Sequence, residues 1–233
     1  MALLTPSSDE QFSSTLQFGD AYEPAVFGSV LSSYRYQWIK RALDVTLALT
    51  LLVLLSWLLI GVAIAILIDS EGPVLFRQVR IGRHGRPFGM LKFRTMRAER
   101  RLRNSGPPAR VDERRQRHKS VRDPRVTRVG RYLRRACLDE LPQLWNVVWG
   151  DMSVVGPRPE LPSIVEKYEP WQHLRHQVSP GITGWWQVNR AADQLMHEAT
   201  ELDIFYVEHC SLSLDLRILA RTLGAVLDGR GAY

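Results

Sequence analysis

The chain has 233 residues, 45% of them hydrophobic and 24% charged, and its 31 Lys+Arg against 24 Asp+Glu give a formal net charge of +7. That composition excludes a wholly disordered chain, a collagen-like repeat and a disulfide-stapled miniprotein, and the length is ample for one sizeable core. The charge is unevenly placed: residues 77–135 hold 21 Lys+Arg and 4 Asp+Glu, a local balance of +17, and the remainder has a balance of −10. Such a basic block implies an anionic partner, whether nucleic acid, anionic lipid or a phosphate-bearing substrate. Cys137 and Cys210 are too few for a disulfide framework and show no zinc-ligand spacing, so both read as reduced thiols.

Met1–Leu16 is polar, carries Asp9 and Glu10, and has no apolar run of the kind a secretory signal needs. Residues 1–34 read as a loosely ordered tail. Tyr34–Asp44 is amphipathic, with Tyr36, Trp38 and Ile39 beside Lys40 and Arg41, and suits a membrane interface. From Val45 to Ile68 the chain runs 24 residues without a charge. That is about 36 Å of helix, enough for a hydrocarbon core about 30 Å thick. Arg35, Lys40 and Arg41 precede the run, and Arg77, Arg80, Arg83 and Arg86 follow it. Positive charge favours the cytoplasmic side, so a helix that enters, bends and returns satisfies both flanks. Ser56, at the centre, can bend a helix by bonding back to a carbonyl, and Gly61 loosens it further.

After Ser70–Pro73, VLFRQVRIG and PFGMLKFRTM alternate apolar and polar residues around Arg83–Arg86, the pattern of a β-hairpin. Arg97–Lys119 is crowded with Arg and interrupted by Asn104–Pro108, which predicts a mobile loop. A helix is expected after Val129, broken near Asp139 and resumed through Leu141–Trp149. A motif-rich loop, Ser153–Pro162, precedes a further helix and a second loop, Pro180–Arg190. Two helices close the chain, Glu198–Glu208 and about Leu212–Leu227, the latter capped by Ser211 or Ser213. No internal repeat is evident.

The run LDELPQLW, Leu138–Trp145, is the most informative for chemistry. Pro142 prefers the first turn of a helix and should push Leu141 out of the α region. Asp139 and Glu140 then sit just ahead of a new helix, where backbone N–H groups stabilise negative charge. A capping Asp with an acidic neighbour is common, but the surroundings here are not. Arg134 and Arg135 lie one turn earlier, and Arg158 is held in Gly156–Pro157–Arg158–Pro159. Carboxylates beside fixed guanidinium groups suit phosphate chemistry: Arg clamps the anion, while a carboxylate binds metal or attacks phosphorus.

These residues carry a resemblance. The chain resembles the bacterial sugar transferase family, the monotopic phosphoglycosyl transferases, over about residues 38–233. The matching blocks are KRALD (Lys40–Asp44), DSEGPVLFRQVRIG (Asp69–Gly82), KFRTM (Lys92–Met96), DPRVTRVGRYLR (Asp123–Arg134), LDELPQLWNVVWGDMSVVGPRPE (Leu138–Glu160) and PGITGWWQV (Pro180–Val188). The ending SLSLDLRILARTLGAVLDGRGAY is similar to members that transfer hexose 1-phosphate for exopolysaccharide. The resemblance implies transfer of a sugar 1-phosphate from a UDP-sugar to undecaprenyl phosphate, releasing UMP. It makes Asp139 the nucleophile that forms an aspartyl phosphosugar, which the lipid phosphate then displaces. It implies Mg²⁺, held by Asp139 and Glu140, with Glu140 assisting through metal binding or proton handling. Arg134 and Arg158 become candidates for holding phosphates, and Lys92 and Arg94 for further contacts or for structural salt bridges. Two departures stand out: many members break the membrane helix at a Ser-Pro pair where this chain has Ser56–Trp57, and the loop after PGITG commonly ends in Gly-Arg where this chain has Asn189–Arg190. With one apolar run, the chain resembles the short form of the family.

Other groups have plainer readings. His173 and His176, three apart on an expected helix, read as a surface pair, and none of the six histidines (His84, His118, His173, His176, His197 and His209) forms a metal motif. Trp185 and Trp186 suit uracil stacking, a membrane interface or simple packing. Asp203 and Tyr206 share a helix face and read as structural. The expected fold is α+β and predominantly helical, with one re-entrant membrane-inserted helix, a small β-hairpin and amphipathic interfacial helices around a cytoplasmic catalytic core. Its divisions are a tail (1–34), interfacial and membrane helix (35–70), catalytic core (71–191) and C-terminal helices (192–233). The expected location is the bacterial inner membrane, with the catalytic core on its cytoplasmic face, membrane lipid as partner, no nucleic acid and a homodimer left open. The rivals are the same reaction with an N-acetylated sugar and, more remotely, a membrane-tethered nucleic-acid-binding protein that uses the basic block.

Overall fold

A computed structural model describes residues 34–97, 123, 125–189 and 199–227. The expected tail and nearly all of the Arg-rich loop lie outside the described residues. Helix α1 spans Tyr34–Leu54 and α2 spans Ser56–Asp69, bent by 63° at Leu55. No single described helix is long and apolar enough to cross a membrane, but the bent pair together meets that length and composition. The bend falls where the sequence placed it, yet by a different cause. Ser56 is exposed and its hydroxyl bonds to no carbonyl among the described residues, and α2 runs unbroken through Gly61. Packing sets the angle instead. Ala48 and Leu52 of α1 enter the main core with Leu144, Val147, Met152, Tyr206 and Ile218, whereas Val62 and Ile66 of α2 join a second cluster with Phe93 and Leu133. Outward-facing Leu49, Val53, Trp57, Ile60, Ile64 and Leu67 leave both arms with an exposed apolar face.

The hairpin forms as its alternation predicts. Strand β1 (Leu75–Ile81) pairs antiparallel with β2 (Pro87–Phe93), Leu75 opposite Phe93 and Ile81 opposite Pro87. Helix α3 (Arg128–Arg135) starts on Thr127, whose Oγ1 accepts the Gly130 N–H at 2.9 Å, and Asp69 at the end of α2 accepts the Val129 N–H at 2.9 Å. Gly130 permits the crossing over β2: a Cβ there would stand 2.2 Å from the Thr95 carbonyl oxygen.

A 3₁₀ turn, Leu138–Glu140, leads into helix α4 (Gln143–Trp149). Leu141 is not driven from the α region by Pro142; it sits at φ −55°, ψ −35°. The turn and the helix run on continuously, with the Leu141 N–H on the Leu138 carbonyl and the Leu144 N–H on that of Leu141, and those bonds outweigh the steric preference. Two expected loops also contain regular structure. Strands β3 (Ser153–Val155) and β4 (Gly181–Thr183) pair in parallel, Ser153 opposite Gly181 and Val155 opposite Thr183. Gly156 makes the approach feasible, since its Cβ would lie 2.4 Å from the Ser179 carbonyl oxygen. Between the strands come helix α5 (Pro162–Val165) and a 3₁₀ helix, Pro170–Gln177; α6 (Trp185–Asn189) follows β4. Helices α7 (Thr200–His209) and α8 (Leu212–Leu227) close the fold, and Ser211 supplies the α8 cap by accepting the Leu214 N–H at 3.3 Å.

Helix α1 is fastened to this core by polar contacts. Asp44 accepts the Ser153 hydroxyl at 2.7 Å and the Val154 N–H at 3.1 Å, and Lys40 reaches Asp215 of α8 at 2.8 Å. Asp215 also accepts the Tyr206 hydroxyl at 2.7 Å, so Tyr206 on α7 has the structural role expected, and Asp203 on the same helix pairs with Arg175. Arg41 donates to the Val147 and Val148 carbonyls at the end of α4. The apolar helix pair and the strand that leads into Gly156–Glu160 are thus one packed unit.

Candidate active site

Asp139 and Glu140 lie on the 3₁₀ turn before α4, and the hairpin brings Lys92 over them. Asn146 fixes that approach: fully buried on α4, it accepts the Leu91 N–H at 2.9 Å and donates to the Gly89 carbonyl at 2.9 Å. A buried amide that completes the bonding of a strand ties helix and hairpin in one register. Sequence reasoning passed over Asn146 because its spacing carries no motif of its own.

Glu140 is the hub of the cluster. Its carboxylate accepts Lys92 Nζ at 2.7 Å and both terminal nitrogens of Arg158, Nη1 at 3.2 Å and Nη2 at closer range. Burial alone would raise its pKa, but Arg158 and Lys92 outweigh it and hold Glu140 well below the ordinary carboxylate range. Glu140 in turn raises Arg158, while burial lowers Lys92 against the pull of Glu140. Asp139 differs from its neighbour. Its carboxylate takes no hydrogen bond or ion pair from the described residues; burial and the Glu140 charge push its pKa up, with Lys92, Arg134 and Arg158 opposing. The two adjacent carboxylates are therefore unlike: one is paired with two cations, the other is open and more basic than usual.

Arg134 points into this region from α3, its Nε donating to Thr95 Oγ1 at 2.9 Å. Arg94 does not join the cluster. Buried beneath α2, it donates to the carbonyls of Pro73 and Ser70, each at 2.6 Å, and so caps the C-terminal end of the apolar helix pair. Lys92, Arg134, Asp139, Glu140 and Arg158 are brought together; Arg94 has the structural role weighed for it. Asp139 offers a hard oxygen donor of the type Mg²⁺ uses with substrate phosphates, and Glu140, already paired with Lys92 and Arg158, is the less available of the two. Among the described residues no group of three or more His, Cys, Asp or Glu converges on a metal position.

The histidine pair is not on the surface as expected. His176 is buried and His173 partly so, both packed against the Tyr168 ring on the 3₁₀ helix. Burial pushes His176 down to about 3, with Arg175 and His173 adding to the shift. Between that value and the unfolded value near 6.5, the unfolded chain takes up a proton that the folded chain refuses, so His176 lowers stability as pH falls. At pH 5 the expected penalty is about 2 kcal/mol. Thermal unfolding of His176→Gln against wild type, at pH 5 and pH 7.5, should show a smaller acid loss in the variant. An equal loss would remove His176 as the cause. Trp185 and Trp186 serve packing: Trp185 stacks on Phe205 at 5.1 Å under Arg221, and Trp186 is buried. Asn189 links α6 to α8 by accepting Arg221 Nη1 at 2.6 Å; Arg190 lies outside the described residues.

An open carboxylate ringed by Lys92, Arg134 and Arg158 defines a phosphotransferase type of centre, where cations neutralise phosphate and a carboxylate can attack it. The family model for bacterial sugar transferases matches residues 35–229, and the chain belongs to that family. It is 40% identical to the uncharacterized sugar transferase EpsL of Bacillus subtilis (strain 168), over 83% of this chain and 89% of that protein. It is 43% identical to the UDP-glucose:undecaprenyl-phosphate glucose-1-phosphate transferase of Caulobacter vibrioides, over 83% of this chain and 72% of that protein. It is 39% identical to a UDP-N-acetylgalactosamine-undecaprenyl-phosphate N-acetylgalactosaminephosphotransferase of Aeromonas hydrophila, over 88% of this chain but 47% of that longer protein.

Proposed function

We propose that the protein transfers a hexose 1-phosphate from a UDP-sugar to undecaprenyl phosphate, releasing UMP, as the first membrane step of exopolysaccharide or related glycoconjugate assembly. The observation that carries this reading is the contrast between the open Asp139 and the cation-paired Glu140 inside a cationic cluster. An Asp139 oxygen attacks the phosphorus that bears the sugar; the bond from that phosphorus to the bridging oxygen breaks, and UMP leaves with the electron pair. An oxygen of the lipid phosphate then attacks the same phosphorus, the bond to Asp139 breaks, and the carboxylate is regenerated. Lys92, Arg134 and Arg158 neutralise the phosphates as charge builds between them. Glu140 holds Lys92 and Arg158 in position, and its depressed pKa suits a fixed anion better than a proton carrier near neutral pH. Asp139 would hold Mg²⁺, which when bound would further neutralise the diphosphate.

The exposed apolar face of α1 and α2 supports insertion into the cytoplasmic leaflet of the inner membrane. The 63° bend, with basic residues before and after, supports a re-entrant hairpin over a plain span. The chemistry is tested by incubating purified protein with Mg²⁺ and UDP-glucose, UDP-galactose or UDP-N-acetylgalactosamine without lipid. One equivalent of UMP and a phosphosugar on the Asp139 peptide are expected, fastest with a hexose donor. Efficient lipid-dependent turnover with no adduct would replace the two-step reading by direct displacement. For topology, a cysteine placed within residues 1–30 should resist an impermeant thiol reagent on intact cells, and its labelling would establish a span.

A further inference from the structure

The loop that carries Arg158 has an unusual bonding problem. Pro157 and Pro159 flank it, so two of three consecutive residues lack the N–H by which loops are normally held. The loop is instead held through its carbonyls. The Pro157 carbonyl accepts the Gly181 N–H of β4 at 2.8 Å, the Pro159 carbonyl accepts Arg80 Nη1 of β1 at 3.2 Å, and the Arg158 carbonyl accepts Arg175 Nη2 at 2.6 Å. Three elements far apart in sequence each hold one oxygen.

Arg175 is the most heavily committed of these donors. It is 2% exposed, its Nη2 stands 2.6 Å from Asp203 of α7, and its Nη1 donates to the Tyr168 hydroxyl. Asp203 is fully buried. A buried ion pair of this kind carries a desolvation cost that apolar residues of similar volume would avoid, so bulk stability does not explain it. What an apolar pair could not supply is a charged donor aimed at the backbone carbonyl of Arg158, the residue whose guanidinium grips Glu140.

We propose that the buried Arg175–Asp203 pair is the positioning device for Arg158, setting where its guanidinium meets Glu140 and the substrate phosphates. Arg175 touches no reacting atom; it acts through Arg158. The proposal rests on the functional reading above for its catalytic consequence but not for its geometric one, and the two separate experimentally. In turnover, Arg175→Met should lower kcat about 10- to 100-fold, the size expected when a catalytic group is displaced by about 1 Å. Arg175→Lys, which keeps the charge but not the fork, should recover part of that loss. In an Arg158→Ala background, Arg175→Met should change kcat less than twofold, because the group it positions is gone. A general structural role would give the same loss in both backgrounds and would overturn the proposal.

A second cycle needs no activity. The stability coupling between Glu140 and Arg158, read from thermal unfolding of the two single variants and the double, should shrink when Arg175 is replaced by Met. Asp203→Asn, close in shape to the native residue, serves as the replacement should Arg175→Met fail to fold. If no UDP-sugar is turned over but the coupling shrinks, the functional reading fails and the positioning stands. A coupling that is unchanged, in protein that turns over normally, overturns the positioning alone.

Discussion

Asp139→Asn should abolish the phosphosugar adduct and lower lipid-dependent turnover by about a thousandfold or more, equivalent to about 4 kcal/mol of lost transition-state stabilisation. The substitution preserves size and replaces only a charged carboxylate oxygen with a neutral amide nitrogen. Most losses of activity in a buried site are confounded by unfolding, but here the structure separates the two. The Asp139 carboxylate receives no hydrogen bond or ion pair from the described residues, and burial pushes its pKa up, so its negative charge is held at a cost rather than a gain. The asparagine variant should therefore unfold at the same temperature as wild type or slightly above it. Its UDP-sugar affinity should hold or improve, because the three cations facing the diphosphate are left with less opposing charge. Turnover that survives within tenfold of wild type would rule Asp139 out as nucleophile.

Much of this site was legible in the residues because its parts are local. The alternation through Leu75–Phe93 specifies a hairpin by period alone, and the register it adopts puts Lys92 opposite Phe76, facing the turn that carries Glu140. Asp139 and Glu140 stand before a helix that Pro142 announces, although the expected effect on Leu141 was overruled by continuous backbone bonding. What stayed hidden depends on partners remote in sequence. The β3–β4 pair joins three-residue strands that carry too little pattern to be told from loops, and it exists because Gly156 and Gly181 let two backbones touch. His176 looked like a surface residue because a 3₁₀ helix does not present its side chains with the period of an α-helix. Arg94 sits two residues beyond Lys92, just past the end of β2, and only the fold shows that its guanidinium turns to the carbonyls at the end of α2. The bend at Leu55 was located by composition, but its angle belongs to two separate hydrophobic clusters.

Glu140→Gln should reverse the pattern expected at Asp139, losing stability and turnover together. The wild-type carboxylate neutralises both Lys92 and Arg158; a glutamine keeps one acceptor oxygen but turns an amide donor toward a cation. Removing one partner of a fully buried ion pair destabilises by about 3–5 kcal/mol, and Glu140, Lys92 and Arg158 are only partly buried, so the loss here should fall below that range. The sign of the pH dependence follows from the depressed pKa of Glu140. Its contribution is present above the unfolded carboxylate value and is lost as pH falls toward the lower folded value, so at neutral pH the variant lacks all of it. Lys92→Met in the Glu140→Gln background should restore part of the melting temperature, since it removes a cation left without its partner. It should not restore turnover if Lys92 contacts phosphate. The kinetic split separates the readings of Glu140. As an anchor for two cations, it leaves the Gln variant with KM for UDP-sugar unchanged or lower and kcat reduced about 100-fold, as misplacement of catalytic groups predicts. As a metal ligand, it would instead leave a variant that recovers rate as Mg²⁺ is raised. Recovery with added metal would move Glu140 into the coordination shell.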